Sequence, residues 1–273
     1  MQEQEMSFLD HLELLRWHVI RSLISVFVFA AIAFTAKEFF FETLILGPGK
    51  LDFWTYKKLC NFGQLIGSDV LCIEKLPFIL QSRTLTGQFT SHITYSIVIG
   101  IIMAFPYFFW EIWRFIAPGL NVGERNITRG AVFFVTLLFI TGVSFGYYII
   151  TPLSINFLSN YQLAESIQNE FDINSYVSTV CMIVLSTGLM FQLPMVILFL
   201  TKVGVATPAL LKQYRKHAVV IILIVSAILT PPDVISQCLI SLPLFLLYEV
   251  SIFISGVVIK RQEKKLAKSI ENE

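Results

Sequence analysis

Six long apolar runs, joined by connections that alternate in charge, constrain this chain more than any other feature. An α-helix needs ~20 apolar residues to cross ~30 Å of hydrocarbon, and only helices or closed barrels satisfy their backbone groups there. The runs have helical length and lack the ~10-residue alternation of barrel strands. They place spans at Val19–Ala36, Ile93–Trp110, Ala131–Ile150, Tyr176–Leu200, Ala218–Leu229 and Val234–Ile259. With 55% apolar residues, 14% charged residues and a mean hydropathy of +0.72, a soluble domain is excluded. The reading is an all-α polytopic membrane protein with the last two spans short, organised as a single domain over residues 1–273.

Basic residues set the expected orientation. Of 20 Lys and Arg, 14 lie before or at the start of span 1, after spans 2 and 4, or beyond span 6. The connection Thr151–Ser175 and the turn Thr230–Asp233 carry none, and the other six fall in the long first loop. By the positive-inside rule both termini are cytoplasmic, since long translocated loops are read less strictly. Acidic residues Glu3, Glu5, Asp10 and Glu13, with no small-residue cleavage site, lead to the expectation that span 1 is an uncleaved anchor.

Between the spans, residues 2–17 form an expected amphipathic helix on the cytoplasmic surface, with Phe8, Leu12 and Leu15 on one face. Residues 37–90 read as an outer cap of short helices and turns, and residues 260–273 as a basic cytoplasmic tail. Cys60 and Cys72 lie in the cap. They pair if that side is oxidising, and otherwise remain two loop thiols; Cys181 and Cys238, buried in spans, stay reduced.

The polar residues tolerated by the spans and their borders are the candidate functional groups. Span 5 has only fourteen residues between Lys216 and Pro231, ~21 Å of helix, before the turn Thr230-Pro231-Pro232-Asp233. Either the membrane thins there, or a short hairpin is shielded by its neighbours and Asp233 caps the next helix. Gln192 precedes Pro194, whose missing amide disturbs the helix; the side chain either satisfies a freed group, faces a wet cavity, or joins two helices. Glu249 is an intramembrane carboxylate, either functional or paired with Lys260 or a neighbour near the headgroups. His11, His18, His92 and His217 are scattered near interfaces, where a solvated role is expected. Glu124 stands on a face crowded with cations. It either takes a guanidinium in a two-bond fork or opens span 3 and pairs with Arg125 or Arg129.

Three separated motifs then carry a resemblance that covers almost the whole chain. They are His11-Leu12-Glu13-Leu14-Leu15-Arg16, Phe115-Ile116-Ala117-Pro118-Gly119-Leu120 followed by Glu124-Arg125, and Leu229-Thr230-Pro231-Pro232-Asp233-Val234. In this order on six spans, the chain resembles the TatC family, the core receptor subunits of the twin-arginine protein translocase. The resemblance implies a glove-shaped, six-helix receptor in a bacterial inner membrane. Such a receptor recognises signal peptides bearing consecutive arginines, and recruits TatA-like and TatB-like single-span subunits. Folded proteins then cross using the proton-motive force, without ATP hydrolysis.

Position by position, the resemblance makes Glu124 the acceptor for the arginine pair, with Phe115 and Pro118 shaping that surface and Leu12 and Arg16 on the opposing wall. Gln192, with Pro194, stands where partner helices are contacted; Pro48 and Asp233 match the outer proline and the acidic residue of the last outer turn. The family motif usually has a glutamate where Leu14 stands, and Glu13 is one step, ~100° of helix, away. Recognition therefore leans on Glu124. A homo-oligomer within a larger complex, in contact with membrane lipid, is the expected assembly, and the chain is expected not to be an enzyme. No cofactor, metal or nucleic-acid partner is expected: the sequence has no His-Glu-x-x-His, no Gly-x-Ser-x-Gly and no clustered carboxylates. The alternative class, an ion-coupled secondary transporter, commonly shows internal repeats, and none is present.

Overall fold

The computed structural model describes residues 8–65, 67, 72–73, 75–116, 128–164, 166–229 and 234–271. Ten α-helices and two short strands are described: α1 Phe8–Thr35, α2 Trp54–Leu65, β1 Phe78–Gln81, α3 Gly87–Ile116, α4 Thr128–Phe145, α5 Thr151–Asn160, β2 Asn169–Asp172, α6 Ile173–Met190, α7 Leu193–Lys202, α8 Pro208–Gln213, α9 Arg215–Leu229 and α10 Val234–Glu271. Among the described residues, five helical segments are long and apolar enough to cross a membrane: Glu13–Thr35, Gly87–Phe115, Val132–Asn160, Ile173–Lys202 and Gln237–Lys260. The expected fifth span corresponds to α9, whose 15 residues give ~22 Å of helix.

Several boundaries differ from the sequence reading. The surface helix expected over residues 2–17 is not separate from span 1 where it is described, because α1 runs unbroken from Phe8 and contains neither glycine nor proline to stop it. Span 3 continues ten residues past Ile150. A π-helical turn, Gly146–Ile150, leads into α5, Pro152 falls in its first turn where no amide is needed, and the Thr151 hydroxyl donates to the Gly146 carbonyl at 2.8 Å. The last helix outruns the expected sixth span. α10 has 38 residues, since the tail after Lys260 is rich in helix formers and lacks glycine and proline.

The chain divides into two compact units. Unit 1 comprises Met1–Gly47, Leu80–Leu138 and Asp172–Cys181; unit 2 comprises Pro48–Ile79, Phe139–Phe171 and Met182–Glu273.

In unit 1, α1 and α3 are antiparallel. His18 meets Glu111 at one end, and the Phe34 ring stacks on His92 at the other with centroids 3.8 Å apart. Small residues let the backbones approach: a Cβ on Gly100 would lie 2.8 Å from the Ala30 Cβ and from the Val26 carbonyl oxygen. This is how helices associate in lipid, where apolar burial alone gives no preference. At the far end Tyr176 donates to the Ile45 carbonyl at 3.0 Å.

In unit 2 a core of Ile150, Ile183, Ile197, Leu211, Ile240 and Leu244 is buried with further aliphatic residues. A Cβ on Gly188 would meet Val143 at 2.7 Å and Phe139 at 2.9 Å, so α4 and α6 also touch through a glycine. Polar side chains tie the remaining helices: Thr201 to Ser255 at 2.9 Å, Tyr248 to the Leu211 carbonyl at 2.8 Å, and Gln237 to the Leu223 carbonyl at 3.1 Å. In the cap, Cys60 and Cys72 form a disulfide, with Cα atoms 4.2 Å apart. β1 and β2 pair, and Phe78 stacks on Phe171.

Candidate functional site

The N-terminal half of α1 and the last two turns of α3 bring a set of charged and aromatic side chains to one end of unit 1. Glu111 is 1% exposed and bonds the His18 ring through Nδ1; the Tyr107 hydroxyl, one turn earlier on α3, bonds the same carboxylate. One turn later, Phe115 is half-buried and presents its ring edge to His18, with centroids 6.1 Å apart. Arg16, two residues before His18, is exposed, and so are Glu13 and Leu14. Arg114 lies over the Trp110 ring at 5.7 Å, while Trp113 is buried.

Of the five residues predicted to bind a signal peptide, the structure brings Arg16 and Phe115 to the same end of the α1–α3 pair. Leu12 lies one turn before Arg16 on α1. Pro118 and Glu124 lie outside the described residues, two and eight positions beyond Ile116. The His18–Glu111 pair escaped the sequence reading, which expected a solvated histidine. Its signal is there in part: each residue directly borders an apolar run, where an ionisable side chain that is drawn into the membrane requires a partner.

The other candidates fall in unit 2. Gln192 occupies a break between α6 and α7, and its carbonyl accepts the Met195 and Val196 amides at 2.9 and 3.1 Å. Pro194 is buried in the first turn of α7, where proline needs no donor. Pro48 is buried, and the Tyr56 hydroxyl lies 2.9 Å from both the Pro48 and the Pro152 carbonyl oxygens, an enclosure that pushes the phenol pKa up. Asp233 lies outside the described residues. Glu249 pairs with Arg215 at 2.7 Å, which realises the neighbour-paired alternative with a residue of α9. Cys181 is a buried thiol, whereas Cys238 is a free thiol exposed on the α10 surface, not buried as expected. No grouping of side chains fit to hold a metal occurs among the described residues.

Apolar helices of crossing length, small-residue contacts between them and a few paired ionisable groups define a polytopic helical membrane protein. Residues 10–243 match the family model described as Sec-independent protein translocase protein (TatC). A protein of that name from Blattabacterium sp. subsp. Periplaneta americana (strain BPLAN) is 37% identical over 265 residues, covering 96% of this chain and 99% of its own. Another, from Halalkalibacterium halodurans, is 32% identical, covering 97% and 94%. A crystal structure of a twin-arginine translocase receptor, TatC, superposes with a TM-score of 0.70 at 31% identity, covering 90% of this chain and 98% of that one. The chain belongs to the TatC family.

Proposed function

We propose that this chain is the signal-peptide receptor and core membrane component of a Sec-independent, twin-arginine translocase. The observation that carries this reading is the likeness, over nearly the full length of both chains, to a translocase receptor. The chain would bind leaders carrying consecutive arginines and pass folded proteins across the membrane at the expense of the proton-motive force. Both termini face the cytoplasm of a bacterial cell, following the placement of Lys and Arg.

Glu124 is the principal acceptor, because a carboxylate takes a guanidinium through two charge-assisted hydrogen bonds and gains from partial desolvation at a membrane border. Phe115 and Pro118 shape that surface, and Arg16 and Leu12 line the facing wall on α1. The shared location of Arg16 and Phe115, held by His18 and Glu111 between them, supports this arrangement. Gln192 and Pro194 offer a helix break to TatA-like or TatB-like subunits, beside a groove of about 300 Å3 lined by Leu189, Leu193, Val196 and Ile221. Pro48 and Asp233 act on the outer side, and copies of the chain assemble within the larger complex.

The test is Glu124→Gln, which removes the charge and keeps the shape. Hydrogen bonds to charged groups contribute ~1.5–3 kcal/mol, so affinity for a twin-arginine peptide is expected to fall about tenfold or more. Native affinity and native export by a variant present at wild-type level would refute the assignment, as would equal binding of leaders lacking both arginines.

A further inference from the structure

Helix α2 buries one face and leaves the other bare. Thr55, Tyr56 and Gly63 are buried, whereas Trp54, Lys58, Phe62 and Leu65, spaced by four, four and three residues, form one exposed stripe. Phe62 is 58% exposed and Leu65 86%. Large apolar side chains bared along the length of a helix mark a surface that something covers.

The seat of α2 identifies the cover. Its first turn is fixed to span 3: the Thr55 hydroxyl donates to the Tyr148 carbonyl, and the Trp54 and Tyr148 rings meet edge to face with centroids 5.7 Å apart. Before this point the helix of span 3 shows Ile140, Ser144 and Tyr148 on one exposed stripe, inside a segment long and apolar enough to cross a membrane. That stripe belongs to the surface the protein presents to lipid. Beyond Tyr148 no residue of the same helical stretch is exposed until Asn160. The lipid-facing surface therefore passes at Tyr148 from span 3 to Trp54 and continues along α2. This is also the level at which hydrocarbon ends, because the apolar run closes at Ile150 and Thr151, Ser154 and Ser159 follow it.

We infer that α2 lies in the membrane–water interface as an amphipathic anchor of the cap, with Trp54, Phe62 and Leu65 among the lipid headgroups. Tryptophan and tyrosine favour this level of a bilayer, where an apolar ring body and a polar tip are both accommodated. Lys58 completes the pattern, with its ammonium 6.0 Å from the Trp54 ring centroid; a lysine at such a border buries its stem and keeps its charge toward water. A second polypeptide could also cover the stripe, but it would give no reason for the stripe to start where the lipid-facing side of span 3 stops. The same seat arises whichever side of the membrane the cap occupies.

The experiment is electron paramagnetic resonance of the full chain in vesicles of phosphatidylethanolamine and phosphatidylglycerol, with a nitroxide side chain at position 57, 62, 64 or 65. The label is introduced as an encoded amino acid, so the cysteines stay untouched. Oxygen concentrates in lipid, a charge-neutral nickel chelate stays in water, and neither reaches a label covered by protein. The ratio of oxygen to nickel collisions is expected to be several-fold higher at 62 and 65 than at 57 and 64, which lie off the stripe. Frequent nickel collisions at 62 and 65 would place this face in water and overturn the anchor. Weak collision with both reagents there would overturn it too, since the stripe would then be covered by another polypeptide or a second copy of the chain.

Discussion

At the scale of single residues, the enclosed carboxylate of Glu111 is held by His18 and Tyr107. Removing one member of a buried ion pair leaves an uncompensated charge, at a cost of ~3–5 kcal/mol, whereas replacing both with apolar groups is often neutral. His18→Leu is therefore expected to lower the thermal unfolding temperature of the purified protein clearly, and His18→Leu/Glu111→Leu to recover most of the loss. A double-mutant cycle by thermal melting in detergent measures the coupling; additive losses would show that the two groups act independently. Both residues are plain in the sequence, but their pairing is not. They are 93 positions apart, and apolar periodicity says which residues enter a membrane without saying which helices face one another.

At the scale of elements, two short-range devices fix the segments outside the membrane. The half-buried Asp172 accepts the Arg83 amide at 3.1 Å and the Asn174 amide at 2.8 Å, and the Asn174 and Arg83 backbone bonds hold its carboxyl below the ordinary aspartate range. A carboxyl whose pKa is depressed by folding stabilises the fold fully above its unfolded value of ~3.9, and the contribution is lost as pH falls below that through the folded value. Amide protection at Arg83 and Asn174 should therefore decline below about pH 4 in the wild-type chain. In Asp172→Asn it should be lower at neutral pH and flat across that window, as read by hydrogen exchange corrected for intrinsic rates. The Cys60–Cys72 disulfide closes a loop across a separation of 12 residues, for which chain entropy gives about 3 kcal/mol of local stabilisation. Reduction should accelerate exchange in α2 and leave the antiparallel pair α1 and α3 unchanged, and equal exchange in α2 before and after reduction would remove this role. The existence of such elements is legible in the chain, because cysteines, prolines and turn residues punctuate the cap. Their limits are less so. Helix α1 is already formed at Phe8 and α10 reaches Glu271, since polar helix formers continue a helix past the end of its apolar run.

At the scale of the whole molecule, α9 sets the mechanical question. Its 15 residues span ~22 Å against ~30 Å of hydrocarbon, and a mismatch of ~8 Å at a fraction of a kcal/mol per Å amounts to a few kcal/mol of bilayer deformation. The shortness is legible from the sequence alone, since Lys216 and Pro231 bracket the run; the register that holds α9 in place is not. Gln237 donates to the Leu223 carbonyl, so α10 grips α9 partway along. An insertion beyond that contact lengthens the helix without breaking it. Four apolar residues placed between Ala227 and Ile228 add ~6 Å and about one full turn, leaving the facing of Ile228 and Leu229 nearly unchanged. If local thinning of the membrane eases passage of folded proteins, this variant should bind twin-arginine peptides with wild-type affinity and export precursors several-fold more slowly. Membrane vesicles driven by a proton gradient separate the two readouts. Undiminished export by a stably inserted variant would remove membrane thinning from the mechanism, while loss of peptide binding together with export would mean that the length of α9 supports the fold of the receptor and not the passage step.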